Sequence, residues 1–141
     1  MLGPIAVVVL DADPAARAFL RDAAEDAGAA GDRRVSVFEA EDGAEAARLI
    51  ARQNPALVIG EVLVDKLSGL ALLRQIQRHR APERRPAFVF VTQMDTDADR
   101  AWGLRCGASA YFGKPCDRAA LIRALRDGLL AVTGGSNSGS S

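Results

Sequence analysis

The sequence predicts an α/β domain in which a parallel five-stranded sheet is covered by helices on both faces. Short continuous apolar runs recur along the chain, as expected for strands that are buried on both sides. A segment of about 10–15 residues with helical spacing of its apolar positions follows each run, which is typical of repeated βα units. The chain has 141 residues, of which 49% are hydrophobic. This length is enough for one domain with its own core.

The first βα unit shows the pattern most clearly. Residues 5–10 form a β-branched run that ends at Asp11. Asp13 and Pro14 then indicate a helix start, because aspartate caps a helix N-terminus and proline fits its first turn. The helix keeps an apolar stripe on one face, and Gly28 ends it. The next predicted elements are a strand at 35–38, a helix at 43–53, a strand at 56–59 and a helix at 67–79.

The second half of the chain continues the alternation after an arginine-rich turn. The predicted elements are a strand at 88–91, a helix at 97–106, a strand at 110–112 and an amphipathic helix at 117–131. Residues 132–141 are rich in glycine and serine and have nothing to bury. We therefore expect a domain at 1–131, followed by a flexible tail, a linker or a segment added by cloning.

Composition excludes several classes of function. The 18 basic and 18 acidic residues cancel, so no overall field attracts nucleic acid or a membrane surface to this domain. Cys106 and Cys116 lack the spacing of a metal site and are expected to be free thiols. No apolar run is long enough to span a bilayer, and we expect a cytoplasmic location. The basic turn at 78–85 is expected to be a solvated loop, because it has no interleaved aromatic residues.

Polar residues directly after the apolar runs are the candidates for chemistry, because ligands of open parallel sheets bind beyond the carboxyl ends of the strands. These residues are Asp11, Asp13, Glu61, Thr92 and Lys114. We predict that Asp11, Asp13 and Glu61 form an acidic pocket. Together with a hydroxyl and an ammonium, such a pocket suits phosphoryl chemistry, in which cations and donors neutralise the transferring group.

An ordered set of motifs carries a family resemblance from Ile5 to Ala131. The motifs are Val9-Leu10-Asp11-Ala12-Asp13-Pro14, Asn54-Pro55-Ala56-Leu57-Val58-Ile59-Gly60-Glu61, Ser68-Gly69-Leu70, Val91-Thr92 and Gly107-Ala108-Ser109-Ala110-Tyr111-Phe112-Gly113-Lys114-Pro115. With them the chain resembles a response regulator receiver domain of two-component signalling. The resemblance implies a flavodoxin-like strand order of 2-1-3-4-5. It also implies phosphorylation on an aspartate after the third strand, with Mg²⁺ held by two acids after the first.

Two positions depart from that family pattern. Ala12 stands where the second metal-binding acid is expected, and Glu61 stands where the phosphoacceptor aspartate is expected. Thr92 matches the switch hydroxyl, Tyr111 the rotating aromatic and Lys114 the lysine of the family motif. Since Mg²⁺ needs near-octahedral oxygen coordination, we expect no cofactor, or weak Mg²⁺ on Asp11 and Glu61 alone.

These departures lead to the hypothesis of a pseudo-receiver that works without phosphorylation. The longer Glu61 carboxylate is expected to reach toward Lys114 and Thr92, where phosphoryl oxygens would lie, and to favour an activated-like conformation. The resemblance implies a signalling module that acts by protein–protein contacts and is not an enzyme. Its expected partners are a histidine kinase or an output domain, and a homodimer stays open. Trp102, beside an apolar stripe of Ala101 and Leu104, is the candidate partner residue, on the face of the fourth helix, fifth strand and fifth helix.

Two alternatives stay open from the sequence. A receiver that is still competent for phosphotransfer in a phosphorelay would need Glu61 or a surrogate such as Asp65 as its acceptor. Leu10-Asp11-Ala12-Asp13 is also similar to the nucleophile motif of haloacid-dehalogenase-type phosphatases. In that interpretation Asp11 is the nucleophile and Asp13 the general acid and base.

Overall fold

Five parallel strands alternate with five helices in the computed structural model, which describes residues 3–139 and their side chains as far as Ala131. The strands are β1 (Ile5–Leu10), β2 (Val35–Ala40), β3 (Leu57–Gly60), β4 (Ala87–Thr92) and β5 (Ala110–Gly113). The helices are α1 (Pro14–Ala30), α2 (Gly43–Gln53), α3 (Gly69–His79), α4 (Asp97–Arg105) and α5 (Arg118–Gly139), with a 3₁₀ turn at Pro82–Arg84.

The sheet has the order β2-β1-β3-β4-β5, and all its strand pairs are parallel. The predicted fold class and strand order are therefore confirmed. Leu10 pairs with both Ala40 and Gly60, and Thr92 pairs with Gly113. This register brings the carboxyl ends of the strands to one edge of the sheet, where the loops that follow them meet.

Successive side chains of the strands alternate between two apolar layers, as the period of a strand requires. On β1, Val7 and Val9 pack in the layer that contains α1 and α5, whereas Val8 and Leu10 pack in the layer that contains α2 and α3. Both layers are closed to solvent, since all four of these side chains are fully buried. A sheet buried on both faces explains the continuous apolar runs of the sequence.

Capping side chains begin four of the helices at the same edge of the sheet. They are Asp13 for α1, Asp42 for α2, Ser68 for α3 and Thr96 for α4, and each accepts a backbone N–H of its own first turn. Such caps satisfy N–H groups that have no partner within the helix. They fix where each helix starts, and therefore the length of every loop that surrounds the site.

Helices α4 and α5 differ from the sequence-based prediction. In α4 the buried residue is Gly103, whereas Leu104 is 44% exposed and Ala101 is exposed too, so the predicted stripe of Ala101 and Leu104 is wrong. Helix α5 continues past Ala131 to Gly139. Side chains beyond Ala131 and residues 1–2 and 140–141 lie outside the described part of the chain, and the domain boundary at 131 stays a prediction. No helix of the described residues is long and apolar enough to cross a membrane.

Two leucines of α5 test how much the layer that contains α1 and α5 contributes to stability. Leu125 is fully buried and Leu130 is 59% exposed. Leu125→Ala is expected to lower the free energy of unfolding by about 2–5 kcal/mol, because it removes buried methyl groups and leaves a cavity. Leu130→Ala serves as the matched control and should cost less than about 1 kcal/mol. Urea denaturation measures both, and equal losses would contradict the assigned orientation of α5.

Candidate functional site

Four strand ends place the polar side chains of one buried site. Asp11 follows β1, Glu61 follows β3, Thr92 ends β4 and Lys114 follows β5. Asp11 is 3% exposed, Glu61 4% and Thr92 fully buried. Ionised groups are seldom buried unless they are paired and hydrogen-bonded, so the arrangement of their partners decides what this site can do.

The Lys114 ammonium joins the two carboxylates. Its Nζ lies 2.7 Å from Asp11 Oδ2 and 3.1 Å from Glu61 Oε1. Burial lowers the pKa of Lys114, but the hydrogen bonds and negative charges of Asp11 and Glu61 outweigh this effect and raise the pKa above its ordinary value. The other oxygen of Asp11 accepts the backbone N–H of Asp13 at 2.9 Å. Lys114 is therefore charged and held in place between the strands.

Glu61 accepts hydrogen bonds from four different groups. Oε2 accepts the Thr92 hydroxyl and, at 3.0 Å, the backbone N–H of Leu63. Oε1 accepts the backbone N–H of Gln93 at 3.2 Å, besides its contact with Lys114. Burial raises the pKa of Glu61, but these four partners together hold the pKa below its ordinary value. The carboxylate is therefore a fully coordinated anion.

A chain of hydrogen bonds leads from Glu61 to Tyr111. Thr92 Oγ1, which donates to Glu61, also accepts the backbone N–H of Met94 at 3.1 Å. The carbonyl oxygen of Met94 accepts the Tyr111 hydroxyl at 2.5 Å. Met94 thus connects the hydroxyl of the site to the aromatic side chain of β5.

Tyr111 lies with its ring inside the domain and is 5% exposed. The ring packs on Phe90, with the two ring centroids 5.7 Å apart. The guanidinium carbon of Arg100 lies over the tyrosine ring, 5.8 Å from its centroid. A Cβ at Gly103 would come within 2.5 Å of the ring, so only glycine leaves room for this position. Burial and the charges of Asp99 and Glu61 raise the pKa of Tyr111.

Not every residue predicted for the site joins it. The Asp13 side chain is exposed and accepts the backbone N–H of Ala15 at 3.2 Å, so it caps α1 and lies outside the ion pairs of Asp11 and Glu61. Asp65 is exposed in the loop before α3. The second lysine, Lys66, lies in that loop and contacts Asp42 at 3.5 Å. The predicted acidic pocket therefore reduces to two carboxylates.

Several groups that complete the site were missed by sequence reasoning. The backbone N–H groups of Leu63 and Gln93 carry no side-chain signature, and their direction depends on the loop conformation. Met94 contributes through its backbone as well. The role of Gly103 could be predicted in principle, because an isolated glycine within a helix signals a packing or functional reason.

The donor set does not fit a divalent cation. Mg²⁺ requires several oxygen ligands in near-ideal octahedral positions. Ala12 offers no side-chain oxygen, and the Lys114 ammonium already contacts an oxygen of both Asp11 and Glu61. Within the described part of the chain, no three His, Cys, Asp or Glu side chains are grouped to hold a metal. No chemistry through a metal follows from this site.

Trp102, the candidate partner residue, is 46% exposed. Its ring lies under the guanidinium of Arg74, which belongs to α3, at 5.6 Å from the centroid. The ring therefore lies on the α3 side of α4, and the partner face of α4, β5 and α5 stays a prediction. The physical reason is that Gly103 points to Tyr111 on β5, and Trp102, one position earlier, lies about 100° around the helix on the α3 side.

Comparison with known proteins identifies the family. The sequence model of the family described as the response regulator receiver domain matches residues 7–126 of this chain. The chain therefore belongs to the response regulator receiver domain family, the signalling modules of two-component systems. The strand order, the ion pair of the buried Asp11 with Lys114 and the position of Thr92 agree with this membership. Nothing in the comparisons supports the phosphatase alternative.

Individual relatives are similar over much of the chain. A 14.6 kDa uncharacterized protein of Leptolyngbya boryana is 32% identical over 130 residues, 92% of this chain and 94% of its own length. Protein PilH of Pseudomonas aeruginosa is 29% identical over 63% of this chain and 73% of its own. Response regulator MprA of Mycobacterium sp. (strain KMS) is 33% identical over 87% of this chain, which spans only 50% of MprA.

Solved structures share the fold. The receiver domain of the Francisella response regulator 1452 superposes with a TM-score of 0.75 at 23% identity, covering 89% of this chain and 96% of that domain. The chemotaxis response regulator CheY4 of Vibrio cholerae gives a TM-score of 0.73 at 19% identity, over 89% of this chain and 99% of its own.

The hydrogen bonds to Glu61 predict a pH-dependent stability. Because the folded chain lowers the pKa of Glu61, its ionisation stabilises the fold above its unfolded pKa of about 4.3. That contribution is lost as the pH falls through the lower folded pKa. The difference in unfolding free energy between wild type and Glu61→Gln should therefore shrink from about pH 6 to about pH 3.

Glu83→Gln is the matched control for this measurement, since Glu83 is exposed and forms no ion pair among the described residues. Its difference from wild type should change much less over the same range. Urea denaturation at a series of pH values gives both curves. A difference for Glu61→Gln that stays constant on acidification would contradict the hydrogen-bonded carboxylate.

Proposed function

We propose that this receiver domain is a pseudo-receiver, whose signalling state is held by Glu61 and does not depend on phosphorylation. The observation that carries the proposal is the set of four donors around the Glu61 carboxylate: Thr92, Lys114 and the backbone N–H groups of Leu63 and Gln93. A hydroxyl, an ammonium and converging N–H groups are the donors that a phosphoryl group on a shorter side chain would need.

The length of the side chain supports this assignment. Glutamate extends one methylene further than aspartate, which brings its carboxylate to the donors on β4 and β5. With Thr92 donating to Glu61, the Met94 carbonyl is in place to accept the Tyr111 hydroxyl. In this proposal the buried position of Tyr111 is the activated-like state, and it is reached without a phosphodonor.

The same features oppose phosphotransfer to Glu61. An anionic donor would approach a site that already contains two carboxylates and only one ammonium, with no metal to compensate, because Ala12 removes a ligand. Attack would also require Glu61 to give up its hydrogen bonds. A nucleophile that is misplaced by about 1 Å lowers the reaction rate on the order of a hundredfold.

Signal output in this proposal takes place through protein contacts and without enzymatic chemistry. Receiver domains of this family work with histidine kinases and output domains, and we propose a partner of this kind here, with a homodimer as a second arrangement. MprA extends well beyond the region that this chain matches. The proposed partner is therefore either an output domain of the same protein or a separate protein chain.

Acetyl phosphate with Mg²⁺ tests independence from phosphorylation. We expect no hydroxylamine-labile phosphate on the chain and no change in its tryptophan emission, because neither the metal nor the acceptor is in place. Intact-mass spectrometry and emission of Trp102 measure the two results. Stoichiometric phosphate on Glu61 would contradict the proposal and favour a receiver that is competent for phosphotransfer.

A restored site provides the positive arm of this test. The double variant Ala12→Asp, Glu61→Asp supplies the missing ligand and the shorter acceptor, and it should bind Mg²⁺ and incorporate phosphate under the conditions in which wild type does not. Calorimetric titration with Mg²⁺ and intact mass measure the gain. Each single variant should bind Mg²⁺ more weakly and incorporate less phosphate than the double variant. A double variant that incorporates no more phosphate than wild type would show that Ala12 and Glu61 do not explain the loss of phosphotransfer.

A further inference from the structure

Helices α3 and α4 present an exposed aromatic surface that the site does not use. Trp102 is 46% exposed, and two guanidinium groups lie over its ring. The guanidinium carbon of Arg74 lies 5.6 Å from the ring centroid, and that of Arg105 lies 5.7 Å from it. Among the Phe, Tyr and Trp side chains of the described residues, Trp102 is the only exposed one. We call Arg74, Arg78, Trp102 and Arg105 the α3–α4 surface.

The positive charges of this surface are not neutralised within the domain. Arg74, Arg78 and Arg105 are exposed, and none of them forms an ion pair among residues 3–131. Arg78 lies one turn beyond Arg74 on the same side of α3, and α3 contains no acidic residue. Positive charge therefore predominates along α3 and the last turn of α4, since the two acids of α4, Asp97 and Asp99, lie in its first turn.

We propose that the α3–α4 surface binds an acidic protein segment that carries an apolar side chain. An arginine in a cation–π contact with an aromatic ring still has N–H groups that match a carboxylate in bidentate geometry. The contact also restricts the long side chain before binding, which reduces the entropy lost on association. Tryptophan and arginine are the residues most enriched in binding hot spots.

The observations favour an acidic protein over a nucleic acid. Single strands are bound by several aromatic side chains on which successive bases stack. Here two guanidinium groups already lie over the ring of Trp102, and no other Phe, Tyr or Trp side chain of the described residues is exposed. The free groups of the surface are guanidinium edges and the uncovered part of the indole, which suit carboxylates next to an apolar side chain.

Binding of a fluorescein-labelled peptide of glutamates around a central leucine tests the proposal. We expect a saturable rise in its anisotropy with the full chain, accompanied by a change in the emission of Trp102, the only tryptophan. Arg74→Glu and Trp102→Ala should each weaken the peptide's Kd about tenfold or more. Circular dichroism confirms that the variants fold.

Arg123→Glu is the matched control, since it makes the same charge change at an exposed arginine of α5, in the opposite layer of the domain. It should change the Kd less than about twofold. Equal effects of Arg74→Glu and Arg123→Glu, or no saturable binding, would overturn the proposal.

Two further results would assign the surface to another occupant and also overturn the proposal. The first is a single-stranded oligonucleotide that binds more tightly than the peptide and loses binding in Arg74→Glu. The second is a wild-type dimer, measured by sedimentation, that dissociates in the same variant. Neither result depends on phosphorylation. The proposal for the α3–α4 surface and the proposal for Glu61 are therefore tested independently.

Discussion

Two buried carboxylates share a single ammonium at the carboxyl edge of the sheet, and the arrangement of the site depends on this imbalance. Lys114 contacts both Asp11 and Glu61, but one negative charge stays in excess. A buried charge without partners is costly, so Glu61 is stable only with further donors. Thr92 and the N–H groups of Leu63 and Gln93 supply them. The loops after β3 and β4 are therefore held by one side chain.

A series of contacts leads from Glu61 to α4. Thr92 and Met94 connect Glu61 to the hydroxyl of Tyr111, and the Tyr111 ring fits against Gly103 of α4. Trp102 is the neighbour of Gly103 and contacts Arg74 on α3. Gly103, against which the tyrosine ring packs, and the exposed Trp102 are thus adjacent on one helix.

Sequence reasoning predicted the fold and the four residues of the site, because both depend on patterns along the chain. Continuous apolar runs defined the strands, and the polar residues after them had to meet at one edge. It failed on α4, where the buried position is Gly103, since a residue without a side chain adds nothing to an apolar stripe. It also missed the N–H groups around Glu61, whose direction depends on the loop backbone. It predicted Asp13 both as the cap of α1 and as a member of the pocket, and the structure shows the cap.

Titration of the single tyrosine tests the central claim most directly, namely that Glu61 holds Tyr111 inside the domain through Thr92. Absorbance of the phenolate follows Tyr111 alone. Without any phosphodonor, wild type should ionise above the ordinary tyrosine pKa of about 10, because burial raises the pKa of Tyr111. Thr92→Val breaks the connection without changing any charge, and its tyrosine pKa should fall back toward about 10. An ordinary pKa in wild type, or an unchanged one in Thr92→Val, would contradict the account.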